Sequence, residues 1–369
     1  MFEELIKKPI INQTPISYPD MDMEKMKKKY NVNEIVRLNY NENPLGVSPK
    51  AAKAMMNNII NNNFYPEFDG ITLRKNLAVF YNNKYNMNFD EENFIIGYGA
   101  SGLLSLIGEV FLCYGDELVT SQLTFESYEI SANRNGANYV QVPTKENLQI
   151  NLDGILESIT KKTKMIIICN PNNPTGMILK EEEIKDFIMK VPENVIIVVD
   201  EAYFEFIDIP NYKSMMQMIG NYPNVIVIRT FSKVYGLAGA RVGYAIMNKE
   251  ISVNLIKGVE FASSLSALEG AIAALNDVEF IKKTKEVIKE GREYLSKEFK
   301  KLGFKVFPTQ TNFIYVDTKL DTKFIAEKLK EKGILIRGDL PLSRITVGTM
   351  KQNKRLVSAI KDIISNEVL

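Results

Sequence analysis

Residues 165–203 read MIIICNPNNPTGMILKEEEIKDFIMKVPENVIIVVDEAY. An apolar, β-branched run opens the stretch and an Asn/Pro/Gly loop follows it. Residues 180–189 then space their apolar side chains as an amphipathic helix does, and a second apolar run, 195–199, ends on Asp200. Short, continuously apolar strands joined by a helix are what a parallel sheet covered on both faces requires. The same alternation extends outward from about residue 50 to 250, with strands predicted at 94–96, 117–120, 139–142, 225–228 and 242–246 and a further helix at 102–113. This is an α/β domain. The Asn-rich stretch 57–63 reads as a helix end and turn. From 268 to 302 the pattern predicts one unbroken helix, with an apolar stripe at Val287, Tyr294, Leu295 and Phe299. Beyond it, strands expected at 304–307, 312–316, 334–336 and 344–347 and helices near 322–332 and 354–365 make a small α+β domain.

The chain has 369 residues, with 46 Lys+Arg against 45 Asp+Glu and a net charge of +1. That balance argues against bulk electrostatic capture of nucleic acid or an anionic membrane. No apolar run approaches the ~20 residues of a membrane-spanning helix, and residues 1–13 lack the apolar core of a signal peptide, so a cytoplasmic protein is expected. Histidine is absent. Serine-histidine hydrolysis, imidazole metal sites and histidine general bases are thereby excluded. Cys113 and Cys169, the two thiols, stand 56 positions apart in apolar stretches and read as small core residues, with no metal site. Proton transfer falls to Lys, Tyr, Asp, Glu or a cofactor.

Four motifs carry chemistry. Gly97-Tyr98-Gly99-Ala100-Ser101-Gly102 follows a strand and opens a helix, where unpaired N–H groups and the helix dipole favour an anion. It reads first as a phosphate cradle. The dinucleotide reading needs an acid about 20 residues on, at the end of the next strand. Here Asp116 and Glu117 instead stand at the beginning of that strand. A tight strand-to-helix turn is the third reading. Asn170-Pro171-Asn172-Asn173-Pro174-Thr175-Gly176 is a rigid loop able to hold one amide against a ligand. Asp200-Glu201-Ala202-Tyr203 ends a buried strand, and a carboxylate there is expected to meet a cation. Thr230-Phe231-Ser232-Lys233 ends another strand, followed by Gly236-Leu237-Ala238-Gly239-Ala240-Arg241. Together they call for a phosphorylated, cationic, carbonyl-reactive ligand. Pyridoxal phosphate is such a ligand.

In order and spacing these motifs resemble the fold type I aminotransferases of classes I and II, most closely the histidinol-phosphate aminotransferase branch. The resemblance runs from Asn41-Glu42-Asn43-Pro44-Leu45-Gly46 to Arg344-Ile345-Thr346-Val347-Gly348-Thr349. It implies a large domain with a mixed, mostly parallel sheet between helices plus the small α+β domain, divided as an N-terminal segment 1–45 packing with the small domain, a cofactor-binding domain 46–270, and a linking helix and small domain 271–369. Lys233 matches the Schiff-base lysine, Asp200 the partner of the pyridinium nitrogen, and Asn173 and Tyr203 the pair on the phenolic oxygen. Phe125, in Leu123-Thr124-Phe125-Glu126-Ser127-Tyr128, matches the aromatic that stacks on the ring. Ser101, Gly102, Thr230, Ser232 and Arg241 match the phosphate site. Tyr65 resembles a tyrosine that reaches the neighbouring subunit's cofactor, which implies a homodimer with shared sites. Arg344 matches the arginine that grips the substrate carboxylate, and Arg337, Asn43 and Tyr18 are further substrate candidates.

The implied reaction moves an amino group between a small-molecule donor, histidinol phosphate or an aromatic amino acid, and 2-oxoglutarate, with Lys233 as the proton shuttle. A six-residue run between Arg337 and Arg344 brings both to the mouth of the site if it forms a turn. That run, and Glu260-Phe261-Ala262-Ser263-Ser264, depart from the branch pattern and bear on substrate, not cofactor. Two readings keep the fold and change the reaction: a decarboxylase of a phosphoamino acid and an amino-acid oxidase. A non-catalytic, aminotransferase-like sensing module is the alternative from another class.

Overall fold

The computed structural model describes residues 2–6, 8–11, 22–259 and 263–367. Its centre is a seven-stranded sheet of β2 (Phe94–Gly97), β3 (Glu117–Ser121), β4 (Asn138–Val142), β5 (Thr163–Cys169), β6 (Ile196–Asp200), β7 (Val225–Thr230) and β8 (Gly243–Met247), in the spatial order β2-β8-β7-β6-β5-β3-β4. Only β8 runs against its neighbours. The sheet is mixed and mostly parallel. Alternate side chains of the central strands enter different cores: Ile166, Ile168, Ile197 and Val199 pack in one, and Met165, Ile167, Cys169 and Val198 in the other. Period-2 burial into two cores is why these strands read as continuous apolar runs.

Register places the site. Cys169 pairs with Asp200, and Asp200 with Ile228, so the loops leaving β5, β6 and β7 emerge side by side at the carboxyl ends of parallel strands. This is where open α/β sheets bind ligands. Helix α1 (Gly99–Phe111) leaves β2 at the same edge, and α2 (Ser127–Arg134) follows β3.

A second unit consists of the antiparallel sheet β12-β10-β9, built from β9 (Lys305–Val306), β10 (Phe313–Asp317) and β12 (Ser343–Thr346). A two-stranded parallel pair joins β1 (Val36–Arg37) to β11 (Ile334–Leu335). The N–H of Thr346 donates to the Leu38 carbonyl at 2.8 Å, so the segment before Asn41 is sewn to both. Among the described residues, no helix is long and apolar enough to cross a membrane.

Three expectations are corrected. The single helix over 268–302 is two helices, α3 (Leu265–Leu275) and α4 (Val278–Lys301). Asp277 leaves the helical conformation (φ −92°, ψ 65°), and its carboxylate accepts from the Ser48 hydroxyl at 2.6 Å and the Lys50 N–H. An aspartate with competing partners of this kind interrupts a helix that periodicity alone would continue. The helix expected at 102–113 starts at Gly99 and ends at Phe111. Cys113 therefore lies past its end and is exposed rather than a core residue, while Cys169 is buried.

Candidate active site

A cavity of about 570 Å³ opens at the carboxyl ends of β5, β6 and β7, with Lys233, Asp200, Tyr203, Asn173, Phe125 and Arg344 among its lining residues. Lys233 comes three residues after the end of β7. Its Nζ donates to the Tyr40 carbonyl at 3.2 Å and lies 5.6 Å from the centre of the Tyr203 ring. Burial, reinforced by the positive charges of Arg344 and Arg241 and opposed by Glu42 and Asp200, lowers its pKa to about 7. This is a lysine amine available in its neutral form near physiological pH.

Asp200 ends β6 and is buried. Its Oδ2 accepts from the Tyr128 hydroxyl at 2.8 Å and its Oδ1 from the Ala202 N–H at 3.0 Å. Burial pushes its carboxyl pKa up, against the pull of those two donors. The expectation of a cationic partner is thus not met by a side chain: both hydrogen-bond donors are neutral. A positively charged ring nitrogen suits a buried carboxylate presented this way.

Tyr203 accepts from the Asn41 side-chain amide at 2.9 Å, which leaves its own hydroxyl proton to be donated elsewhere. Asn41 is in turn held by Thr346, whose hydroxyl donates to its Oδ1 at 3.0 Å, and by Asn312, which donates to its carbonyl at 2.9 Å. The Asn173 carbonyl oxygen accepts from Nη1 of Arg344 at 2.7 Å, and the Asn39 carbonyl accepts from Nη2 at 2.6 Å. Among the described residues, the buried Nε of Arg344 finds no acceptor. A guanidinium with neutral partners and one orphaned N–H is prepared for an anion.

Ala100 and Ser101 bring the first turn of α1 to the same cavity, which Thr230, Ser232 and Arg241 also line. Arg241 donates to the Ala238 and Tyr98 carbonyls at 2.9 and 3.2 Å. Gly99 adopts φ +73°, and a Cβ there would stand 2.6 Å from Nη2 of Arg241. The glycine lets a guanidinium lie directly against a helix N-terminus, an arrangement suited to a phosphate. Aldehyde-reactive amine, buried carboxylate, hydroxyl donor and anion cradle share one cavity, and this donor set fits pyridoxal phosphate.

Arg337 and Arg344 are joined by backbone hydrogen bonds of 3.1 and 3.2 Å, and both line the cavity. The run 338–343 is thus the excursion expected from sequence. Other expected residues are placed elsewhere. Gly102 does not line the cavity, although its neighbour Ser101 does. Asn43 is corrected as a substrate contact: it lies off the lining, and its amide donates to the Lys233 and Val234 carbonyls at 3.3 and 3.0 Å, which anchors the lysine's loop. Tyr65 is 87% exposed and outside its own chain's cavity. Tyr18 and Phe261 lie outside the described residues.

Sequence reasoning missed Tyr128 and Asn41. Tyr128 sits in the first turn of α2, three residues after Phe125, and their rings meet edge to face at 5.7 Å. That spacing puts both on one side of a helix start. Asn41 opens the motif at which the resemblance begins, but its role depends on partners at 203, 312 and 346 that the motif does not reveal.

Comparison with known proteins agrees with the geometry. The chain is 35% identical over 365 residues to a histidinol-phosphate aminotransferase of Brevibacillus brevis, covering 97% of this chain and 98% of that one. It is 39% identical to one of Methanosarcina barkeri, covering 97% of each. Among solved structures, a histidinol-phosphate aminotransferase of Sinorhizobium meliloti in complex with pyridoxal-5'-phosphate superposes with a TM-score of 0.88 at 27% identity, covering 98% of both chains. The sequence profile of aminotransferase class I and II matches residues 33–360, which takes in every strand of both units, and on that extent the chain belongs to the class I and II aminotransferase family.

Proposed function

We propose that this aminotransferase holds pyridoxal phosphate in the cavity and transfers the amino group of histidinol phosphate to 2-oxoglutarate. The observation that carries the chemistry is a neutral-prone Lys233 amine, a buried Asp200 carboxylate and the Arg344 guanidinium, hydrogen-bonded to neutral oxygens, in one cavity. The donor rests on relatives of that name, 35% and 39% identical over nearly their full length. When bound, the cofactor supplies an aldehyde that captures the donor amine and a ring that takes up the electrons released at Cα.

The chain's residues do the rest. The first turn of α1 at Ser101, with Thr230, Ser232 and Arg241, holds the phosphate. Asp200 keeps a proton on the ring nitrogen, and Tyr128 keeps Asp200 in place. Tyr203 and Asn173 would hold the phenolic oxygen, and Phe125 would pack against the ring. With the cofactor in place, Lys233 would be the base that takes the substrate Cα proton and the acid that gives it back. Arg344 binds the carboxylate of 2-oxoglutarate and, in the other half-reaction, the donor's phosphate. We place the enzyme in the cytoplasm as a homodimer, each Tyr65 serving the partner's cofactor.

One observation favours a second donor class. Arg337 already meets two carboxylates, Asp339 and Glu126, which suits a donor with no second anion, such as an aromatic amino acid. A half-reaction screen tests both: histidinol phosphate or an aromatic amino acid should shift the cofactor absorbance, and 2-oxoglutarate should restore it. Continuous product formation without a keto acid would instead establish decarboxylation or oxidation.

A further inference from the structure

The two arginines of the cavity differ in what surrounds them. Nε and Nη2 of Arg337 donate to the two carboxylate oxygens of Asp339 at 2.6 and 2.8 Å, and Nη2 also donates to Oε2 of Glu126 at 3.1 Å. The cluster sets one guanidinium against two carboxylates. On the same lining, Arg37 and Glu42 neutralise each other at 2.6 Å. Among the described residues, Arg344 donates to neutral oxygens, Oδ1 of Asn173 and the Asn39 carbonyl. An anion entering the cavity thus finds a guanidinium bonded to neutral groups at Arg344, whereas at Arg337 Nε and Nη2 are already held by carboxylates and Glu126 competes for the second of them.

Of the two carboxylates, Glu126 is placed to yield. Asp339 grips the guanidinium bidentately from two residues away on the same excursion. Glu126 reaches it through one longer bond from the segment just before α2, with its side chain 48% exposed. Like-charge juxtaposition with a second substrate anion pushes it toward water, where its desolvation cost is small. When a substrate brings no second anion, Glu126 stays and keeps its hydrogen bond to Nη2 of Arg337.

We propose that Glu126 is a specificity-determining residue that competes with the distal anionic group of a substrate for Arg337. It thereby sets how far a second anion is favoured over none. The proposal rests on the aminotransferase reading of the cavity and not on the identity of the donor. In a transaminase the same cavity must take two substrates in turn, and a displaceable carboxylate lets one arginine serve both.

The test uses the holoenzyme, with succinate and propionate as unreactive probes of two and one carboxylates, titrated by the change in cofactor absorbance. Glu126→Gln, which keeps shape and removes charge, should bind succinate about five- to tenfold tighter while propionate changes less than twofold. Glu126→Asp, which keeps the charge, should stay near the wild-type ratio. An unchanged or weakened succinate constant in Glu126→Gln, in protein with a wild-type cofactor spectrum, would overturn the proposal. Histidinol phosphate is assayed alongside. If it never reacts while succinate discrimination still shifts, the donor assignment falls and Glu126 stands; the converse pattern removes Glu126 and leaves the donor.

Discussion

At the scale of single residues, the chemistry depends on a lysine made less basic by its surroundings and on a buried carboxyl held by two neutral donors. Lys233 titrates at about 7 in the fold, against ~10.4 in an unfolded chain. Between those values the unfolded chain binds more protons, so the stability of the cofactor-free protein should rise with pH from about 7 to about 10 and lose that contribution as pH falls toward 7. Urea unfolding at pH 7 and pH 9 should show the rise, and Lys233→Met should flatten it. An equal rise in the variant would place the titration elsewhere. Lys233→Ala should also abolish both turnover and the borohydride-trapped bond between cofactor and chain. Asp200 depends on the hydroxyl of Tyr128 at 2.8 Å. A hydrogen bond to a charged group contributes about 1.5–3 kcal/mol, so Tyr128→Phe should weaken cofactor binding by roughly ten- to a hundredfold in equilibrium dialysis. Unchanged affinity would make Tyr128 a packing residue only.

At the scale of elements, strands were legible where burial on both faces wrote itself into sequence. Strands β5 and β6 are continuous apolar runs because their alternate residues enter two cores. The site residues at their ends were legible for the same reason: Asn173, Asp200 and Lys233 are polar groups directly after buried strands, which physics does not tolerate without a partner. Short strands left no such trace. Strand β1 has two residues and pairs with β11 across nearly 300 positions of sequence, so neither period nor composition marks it. The break before α4 was hidden because Asp277 finds its partners at Ser48 and Lys50, far away in the chain. The glycine loop was read correctly as the start of a helix but placed late, since Gly99 to Gly102 already form the first turn of α1. This yields a test. Gly99→Ala would put a methyl group 2.6 Å from Nη2 of Arg241 and force a non-glycine residue to φ +73°. The left-handed backbone alone costs about 1–2 kcal/mol, and the displaced guanidinium adds to it. Cofactor affinity should fall at least tenfold while far-ultraviolet circular dichroism is retained. Wild-type affinity would show that the helix terminus and Arg241 do not act together on the phosphate.

At the scale of the whole molecule, the surface carries a feature that one copy of the chain leaves unexplained. Met56, in the last turn of the helix Pro49–Asn58, and Ile59, Ile60, Phe64, Tyr65 and Phe68 after it are all more than half exposed. A run of large apolar side chains at the surface marks an interface more often than it marks solvent. Tyr65 lies in this run and outside its own chain's cavity, the placement required of a residue that serves a neighbour. Two chains related by a two-fold axis would each present the patch to the other. Sedimentation should accordingly give a dimer, and complementation tests the sharing of sites. When Tyr65→Phe and Lys233→Ala chains exchange subunits, each heterodimer has one site with native Lys233 from one chain and native Tyr65 from the other, and one site with neither. Provided Tyr65→Phe is itself impaired, statistical exchange should restore about a quarter of wild-type turnover, above the sum of the unmixed parents. If Tyr65 acted within its own chain, no site in the mixture would hold both groups and mixing would restore nothing. A monomer in sedimentation, or a mixture no more active than its parents after verified exchange, would remove Tyr65 from the partner's site.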